Sequence, residues 1–157
     1  RWLVSQGVAD PQKLAIFGWS YGGYAALQTS VLDPDLFKAI VAVAPVTDLR
    51  MMIDQAQRYT NSALVERFVG SGEHLTSGSP RKQAASIKAP VLMFTGDLDL
   101  NVNAAQARAM DAALKEAGKT SELILYPGLE HSLIDSTVRA DLLRKSSDFF
   151  RKTLKLK

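Results

Sequence analysis

A strand, a tight turn and a helix are predicted by Leu14-Ala15-Ile16-Phe17-Gly18-Trp19-Ser20-Tyr21-Gly22-Gly23-Tyr24-Ala25-Ala26-Leu27. The residues before the turn form an apolar run of strand length, and the apolar residues after it recur at helical spacing. Ser20 lies on the turn between Gly18 and Gly22, in the pattern G-x-S-x-G. Such a nucleophile elbow is a sharp, strained turn that exposes the serine hydroxyl, and its small residues let strand and helix approach closely. The stretch therefore predicts a reactive serine, with the Tyr21 N–H free to stabilise an oxyanion.

The bulk composition is that of one globular domain. The chain has 157 residues, 46% hydrophobic and 22% charged, with a net charge of +3 and no cysteine. Such a chain can bury a sizeable core, and the absence of cysteine excludes disulfides and thiolate metal sites. Basic residues are scattered except at the C-terminal end, which argues against nucleic-acid binding. No apolar run reaches membrane-spanning length, so no membrane partner is expected, and the compartment stays open.

Strands and helices are predicted to alternate along the chain. Strands are expected at 14–17, 37–43, 91–95 and 122–126, and helices after Ser20, in two short pieces between 48 and 70, at 102–117 and at 135–154, with a loop at 70–80. Val138, Leu142, Leu143, Phe149 and Phe150 are expected to face inward from the last helix. The strands are continuous apolar runs, as in parallel sheets that are buried on both faces. The sequence therefore predicts an α/β fold with about four mostly parallel strands flanked by helices.

Three loops that follow predicted strands carry residues suited to nucleophilic catalysis. Ser20 follows the first strand, Asp97 and Asp99 follow the third, and His131 follows the fourth. A serine hydroxyl needs a base to remove its proton, and a histidine base needs an acid to fix its tautomer. The order serine, aspartate, histidine is the one found in α/β-hydrolases. Spacing alone leaves Asp97 and Asp99 as alternatives, and either could instead cap the helix predicted from Val102.

The second histidine of the chain, His74, precedes the third predicted strand and both aspartates. It is expected on a surface loop, so His131 is the predicted base. Two distant histidines without a His-x-x-x-His pair are too few for a zinc site, and neither a metal nor a cofactor is expected.

Three motifs resemble the catalytic domain of prolyl oligopeptidase-family serine peptidases, most closely the dipeptidyl-peptidase and acylaminoacyl-peptidase branches. They are Gly18-Trp19-Ser20-Tyr21-Gly22-Gly23, Gly96-Asp97-Leu98-Asp99-Leu100-Asn101-Val102 and Tyr126-Pro127-Gly128-Leu129-Glu130-His131. The resemblance covers essentially the whole chain and implies the C-terminal half of an α/β-hydrolase domain that cleaves peptide bonds. In the family's pattern the acid is the third residue after the glycine, which implies Asp99, with Ser20 as nucleophile and His131 as general base.

The chain departs from the family's pattern in several places. Thr95 stands where the family usually has histidine and Asn103 where many members have proline, although neither position carries the chemistry. The family fold also has strands before the nucleophile, an upstream oxyanion tyrosine and often a β-propeller, which residues 1–157 do not include. We therefore expect residues 1–157 to be a partial catalytic domain that hydrolyses peptides poorly by itself. Its strand from Leu14 to Phe17 would then be an exposed edge, so residues 1–157 are expected either to self-associate through that edge or to be the ordered part of a longer chain.

The resemblance also implies a pocket for the residue before the scissile bond. It would be lined by Tyr21, Val46, Leu49, Met52, Asn101 and Val102. These side chains are apolar or amide, so proline or a small apolar residue is the expected occupant. Leu49 and Met52 could equally belong to the core, because apolar residues at helical spacing usually pack.

Two other functions are compatible with the sequence. An esterase could use the same three residues, since an ester needs less protonation of its leaving group than an amide does. A non-catalytic interaction domain of the same fold is the other alternative, although such domains usually lose one of the three residues, and all three are present here.

Overall fold

A four-stranded parallel sheet forms the centre of the molecule. The computed structural model describes residues 1–156. Strands β1 (Ala15–Trp19), β2 (Ala39–Val43), β3 (Val91–Gly96) and β4 (Ser121–Tyr126) lie side by side in chain order. All three neighbouring pairs are parallel. The predicted α/β class with parallel strands is confirmed.

Helices cover both faces of the sheet. They are α1 (Trp2–Ser5), α2 (Tyr21–Leu32), α3 (Leu49–Ala56), α4 (Ser62–Val69), α5 (His74–Ser77), α6 (Ala105–Glu116) and α7 (Ser136–Leu154), with a kinked 3₁₀ segment at Pro80–Ser86. On one face, Leu27 of α2 and Met110 of α6 pack with Met93 of β3. On the other face, Leu142 of α7 packs with Phe94. Strands β2 and β3 are buried along their whole length, which explains why their sequences are continuously apolar.

The observed elements differ from the predicted ones mainly at their ends. The predicted loop at 70–80 contains helix α5, and α6 begins at Ala105 instead of Val102. Strand β1 extends to Trp19, because Trp19 still pairs with Val43 of β2. The predicted inward orientation of Leu143 is wrong, since its side chain is 62% exposed. Leu142 holds the buried position, and the next residue of an α-helix points about 100° away from it.

Strand β1 lies at one edge of the sheet within residues 1–156. It pairs with β2 on one side, and in this part of the chain no strand pairs with its other side. Phe17 is 42% exposed there, and Trp2 of the preceding helix is also exposed. An apolar strand with a free row of N–H and C=O groups is a template for pairing with another strand.

Candidate active site

Ser20 occupies a strained turn between β1 and α2. Its backbone has φ 57° and ψ −118°, and residues other than glycine rarely adopt such a positive φ. The Ser20 N–H donates to the carbonyl of Val43 at 2.7 Å, which fixes the turn to the end of β2. Helix α2 starts at the next residue, so the Tyr21 N–H has no acceptor within the helix. The turn thus presents the Ser20 hydroxyl next to a free N–H group.

The glycines around Ser20 have different roles. A Cβ atom on Gly18 would lie 2.0 Å from the Gly22 carbonyl oxygen, and one on Gly23 would lie 3.1 Å from the Val43 carbonyl oxygen. A Cβ on Gly22 would meet nothing within 4 Å. The prediction that both glycines of G-x-S-x-G allow close approach is therefore right for Gly18 and wrong for Gly22. Gly23 supplies the second tight position.

The structure brings Ser20, His131 and Asp99 into one hydrogen-bonded chain. His131 Nε2 lies 2.9 Å from Ser20 Oγ, and His131 Nδ1 lies 2.7 Å from Asp99 Oδ2. The Asp99 side chain is fully buried, whereas that of His131 keeps 15% of its surface exposed. The imidazole therefore connects a hydroxyl at the surface to a carboxylate in the interior.

The two candidate acids make different contacts. The second oxygen of Asp99, Oδ1, accepts hydrogen bonds from the N–H groups of Asn101 and Val102 at 2.9 and 2.8 Å. Asp97 is exposed, and its carboxylate accepts a hydrogen bond from the Gly128 N–H at 2.7 Å. His131 thus contacts Asp99 and not Asp97. Neither aspartate caps α6, because that helix begins later and the intervening turn uses the Asp99 carboxylate.

Two residues that sequence analysis did not single out bring the loops of the site together. The indole Nε1 of Trp19 donates to the main-chain carbonyl of His131 at 3.3 Å. Gly96, the last residue of β3, packs against the loop before His131, since a Cβ there would lie 2.2 Å from the Leu129 carbonyl oxygen. Gly96 begins the motif that contains Asp97, but its close contact with the histidine loop depends on the packing of β3 beside β4.

Tyr21, one of the predicted pocket residues, is 72% exposed. Its ring lies 5.8 Å from that of Tyr24, one turn along α2. The pKa of the Tyr24 hydroxyl is raised, mainly by its burial and to a smaller extent by the neighbouring Tyr21. Tyr24 therefore stays neutral at physiological pH. The two rings form an aromatic surface close to Ser20 in the chain.

A cavity of about 890 Å³ opens between α3, α4 and the loop before α6. Four of the six predicted pocket residues line it, namely Val46, Met52, Asn101 and Val102. Tyr21 and Leu49 do not. Leu49 is half-buried at the start of α3, where its side chain approaches Gly78 and its N–H donates to Ser79 Oγ at 2.9 Å. Of the two positions predicted for Leu49, pocket or core, the structure shows packing against the rest of the protein.

Gln106, which lines this cavity, is a buried residue that sequence analysis did not assign to the site. Its Oε1 accepts hydrogen bonds from the N–H groups of Thr47 and Asp48, both at 2.9 Å. Its Nε2 donates to the Asp48 carbonyl at 3.1 Å. This buried amide connects α6 to the segment after β2, which carries the cavity residue Val46, and thereby fixes one cavity wall.

His74 lies apart from these contacts. It is exposed at the start of α5, and its Nε2 lies 2.7 Å from the carbonyl of Val69. Its predicted position on the surface is confirmed, although the segment is helical. Residues 1–156 contain no group of three or more histidine, cysteine, aspartate or glutamate side chains that could hold a metal ion. Over the same residues, no helix combines the length and apolar character needed to cross a bilayer.

Comparison with known proteins assigns the chain to a family. The model of the prolyl oligopeptidase family matches residues 1–157. The chain belongs to the prolyl oligopeptidase family. Among relatives in this family, it is 30% identical over 144 residues to dipeptidyl peptidase family member 1 of Caenorhabditis elegans, covering 90% of this chain and 17% of that protein. It is 26% identical over 163 residues to dipeptidyl peptidase 4 of Bos taurus, covering 99% of this chain and 20% of that protein.

A solved structure agrees with this membership. A puromycin-hydrolysing peptidase from Mycobacterium tuberculosis superposes with a TM-score of 0.88 at 25% identity, over 99% of this chain and 24% of that chain. The present chain thus spans about a fifth of the length of the dipeptidyl peptidases that it matches. The α/β-hydrolase character predicted for the sheet is confirmed by these prolyl oligopeptidase-family relatives.

Proposed function

We propose that the protein is a serine peptidase that cleaves oligopeptides through an acyl-enzyme on Ser20. The observation that carries this proposal is the hydrogen-bonded chain from Ser20 through His131 to Asp99, with distances of 2.9 and 2.7 Å. Membership of the prolyl oligopeptidase family supports it. An interaction domain would have no need to keep a buried carboxylate, an imidazole and a strained serine in this alignment.

The proposed reaction follows from the position of each group. His131 Nε2 takes the proton from Ser20 Oγ as the oxygen attacks the carbonyl carbon of the substrate. The negative charge that develops on the substrate oxygen is stabilised by the Tyr21 N–H. Protonated His131 then gives its proton to the leaving amine, and a water molecule that His131 activates releases the acyl group from Ser20.

Asp99 supports these proton transfers in two ways. Its Oδ2 accepts the Nδ1–H of His131, so Nε2 is the nitrogen left free to act as a base. Its Oδ1 accepts hydrogen bonds from two main-chain N–H groups, those of Asn101 and Val102, which hold the carboxylate in place. The negative charge then stabilises the imidazolium that forms during the reaction.

The cavity beside the site is proposed to bind the residue that precedes the scissile bond. Its walls include Val46, Met52 and Val102, and Asn101 adds a side-chain amide that could hydrogen-bond a peptide. A volume of about 890 Å³ is more than a proline ring requires. Because the cavity also admits larger side chains, an apolar residue, from proline to leucine, is the proposed occupant.

A fluorophosphonate probe with the full-length protein tests the proposed function. The probe phosphonylates an activated serine, so we expect one labelled site, Ser20, to be identified by mass spectrometry of the digested protein. Leucyl p-nitroanilide and the matching p-nitrophenyl ester then distinguish a peptidase, which cleaves both, from an esterase, which cleaves only the ester. An unlabelled Ser20 in folded protein would refute the proposal.

We propose that residues 1–157 are part of a larger catalytic domain and that, as an isolated chain, they self-associate through the free edge of β1. The exposed Phe17 and the unpaired side of the strand support this proposal. In analytical ultracentrifugation of the 157-residue chain, the apparent mass should rise with concentration. Phe17→Lys or Phe17→Pro should shift the chain towards monomer. If the unmodified chain is a monomer at all concentrations, the proposal is contradicted.

A further inference from the structure

The loop that carries His131 is held by two charged side chains outside the Ser20–His131–Asp99 chain. The carboxylate of Glu130 accepts hydrogen bonds from the N–H of Ser132 at 3.0 Å and from the N–H of Ile134 at 3.3 Å. The guanidinium of Arg139, on the first turns of α7, donates to the carbonyls of Ser132 at 2.8 Å and of Leu133 at 3.1 Å. Together they bind four main-chain groups directly after His131.

The loop needs such support because its backbone is strained. Leu133 has φ 47°, a left-handed conformation that is costly for a branched side chain, and its side chain is fully buried. Burial of Leu133 in the core under α7 fixes one end of the loop. The main-chain groups on either side of the strained residue are those that Glu130 and Arg139 bind. Loss of these hydrogen bonds would let the loop relax to a less strained conformation.

The opposite side of His131 is fixed from β1. Trp19 donates to the His131 carbonyl, and Trp19 directly precedes Ser20. The main chain of His131 is thus anchored to the nucleophile turn on one side and to α7 on the other. Movement of residues 132–134 would rotate the imidazole away from Ser20 Oγ, with which it makes a single hydrogen bond of 2.9 Å.

We infer that Glu130 and Arg139 are positioning residues for the general base, and that they hold His131 in line with Ser20 and Asp99. This inference rests on the proposed function. Neither residue contacts Ser20, and both act through the main chain of the loop. Glu130 is suited to the task because the N–H of Ser132 lowers the pKa of its carboxyl, which remains ionised and able to accept both hydrogen bonds.

Arg139→Met in the full-length protein tests this inference. Methionine resembles the aliphatic stem of arginine but cannot donate to the Ser132 and Leu133 carbonyls. Because a displacement of about 1 Å in a reacting group can cost roughly a hundredfold in rate, we expect kcat to fall between about tenfold and a hundredfold while KM stays within about twofold. Labelling of Ser20 by the fluorophosphonate should slow by the same factor. Arg139→Lys, which restores one donor, should recover part of both rates.

Arg144→Met is the matched control. Arg144 lies on the same helix and pairs with Asp141 and Asp148, away from the histidine loop. This variant should keep the kcat of the unmodified protein. All rates are compared at equal concentrations of folded protein, measured by circular dichroism.

Glu130→Gln provides an independent test if Arg139→Met does not fold. Glu130 is exposed, so its replacement should leave the fold intact. The glutamine amide can accept one N–H but turns a donor towards the other, so kcat should again fall with little change in KM. Unchanged labelling and turnover in this variant would overturn the inference, as would a rise in KM at constant kcat. Failure of the unmodified protein to label at Ser20 would instead refute the proposed function.

Discussion

Replacing Ser20 with alanine is expected to lower kcat by about a million-fold in the full-length protein, the order of loss seen when a catalytic serine is removed. Alanine has no oxygen to attack the substrate, so His131 has no proton to remove and no acyl-enzyme forms. Only the binding pocket and the Tyr21 N–H remain to favour the reaction. Turnover of leucyl p-nitroanilide and labelling by the fluorophosphonate measure this loss. A variant that keeps more than about one hundredth of the normal rate would contradict a nucleophilic role for Ser20.

Two measurements separate this loss from a loss of structure. Ser20→Ala removes one hydrogen bond and keeps the Cβ atom, so the free energy of unfolding should change by no more than about 1 kcal/mol in urea denaturation. Asp97→Asn is the control for a polar change close to the site. Asp97 lies two residues from Asp99 but binds the Gly128 N–H and does not touch His131. Its replacement should change kcat by no more than a few-fold, whereas a loss as large as that of Ser20→Ala would question the choice of Asp99.

The strands and the approximate position of the site could be predicted from sequence because they depend on local patterns. Continuous apolar runs identify β2 and β3, since both are buried on each face. Ser20 and His131 could be predicted because a glycine-flanked turn and a histidine after the last strand are local features. The choice between Asp97 and Asp99 could not be made from spacing. It depends on which carboxylate reaches the imidazole of His131, and the structure places Asp99 Oδ2 2.7 Å from Nδ1 while Asp97 binds the Gly128 N–H.

The supporting contacts could not be predicted because they join distant residues. Trp19 and His131 are separated by 112 residues, and Gln106 and Thr47 by 59. Neither pair has a spacing that the sequence could reveal. Leu49 illustrates a different limit. Its apolar character was compatible with both the cavity and the core, and Met52 lies on the same face of α3. Only the segments that pack against α3 decide that Met52 lines the cavity while Leu49 packs towards Gly78.

The turn motif itself gives the second large expected effect, because its two glycines face different surroundings. A Cβ on Gly18 would lie 2.0 Å from the carbonyl oxygen and 2.2 Å from the carbonyl carbon of Gly22, both main-chain atoms. Neither side can move freely, since Gly18 pairs with Ala42 in the sheet and Gly22 lies in the first turn of α2. Gly18→Ala should therefore lower the free energy of unfolding by about 3 kcal/mol or more.

Gly22→Ala is the matched control, since the same added methyl group meets nothing within 4 Å. In the first turn of α2 it should leave the free energy of unfolding unchanged or raise it by up to about 1 kcal/mol, because alanine favours the helical conformation more than glycine does. Gly18→Ala should also slow fluorophosphonate labelling by about a hundredfold or more in its folded fraction, since widening the turn displaces Ser20 from His131. Urea denaturation and labelling of the two variants side by side measure both effects. Equal stability of the two would show that β1 and α2 can separate at Gly18 without loss, and that the strain at Ser20 does not depend on their close contact.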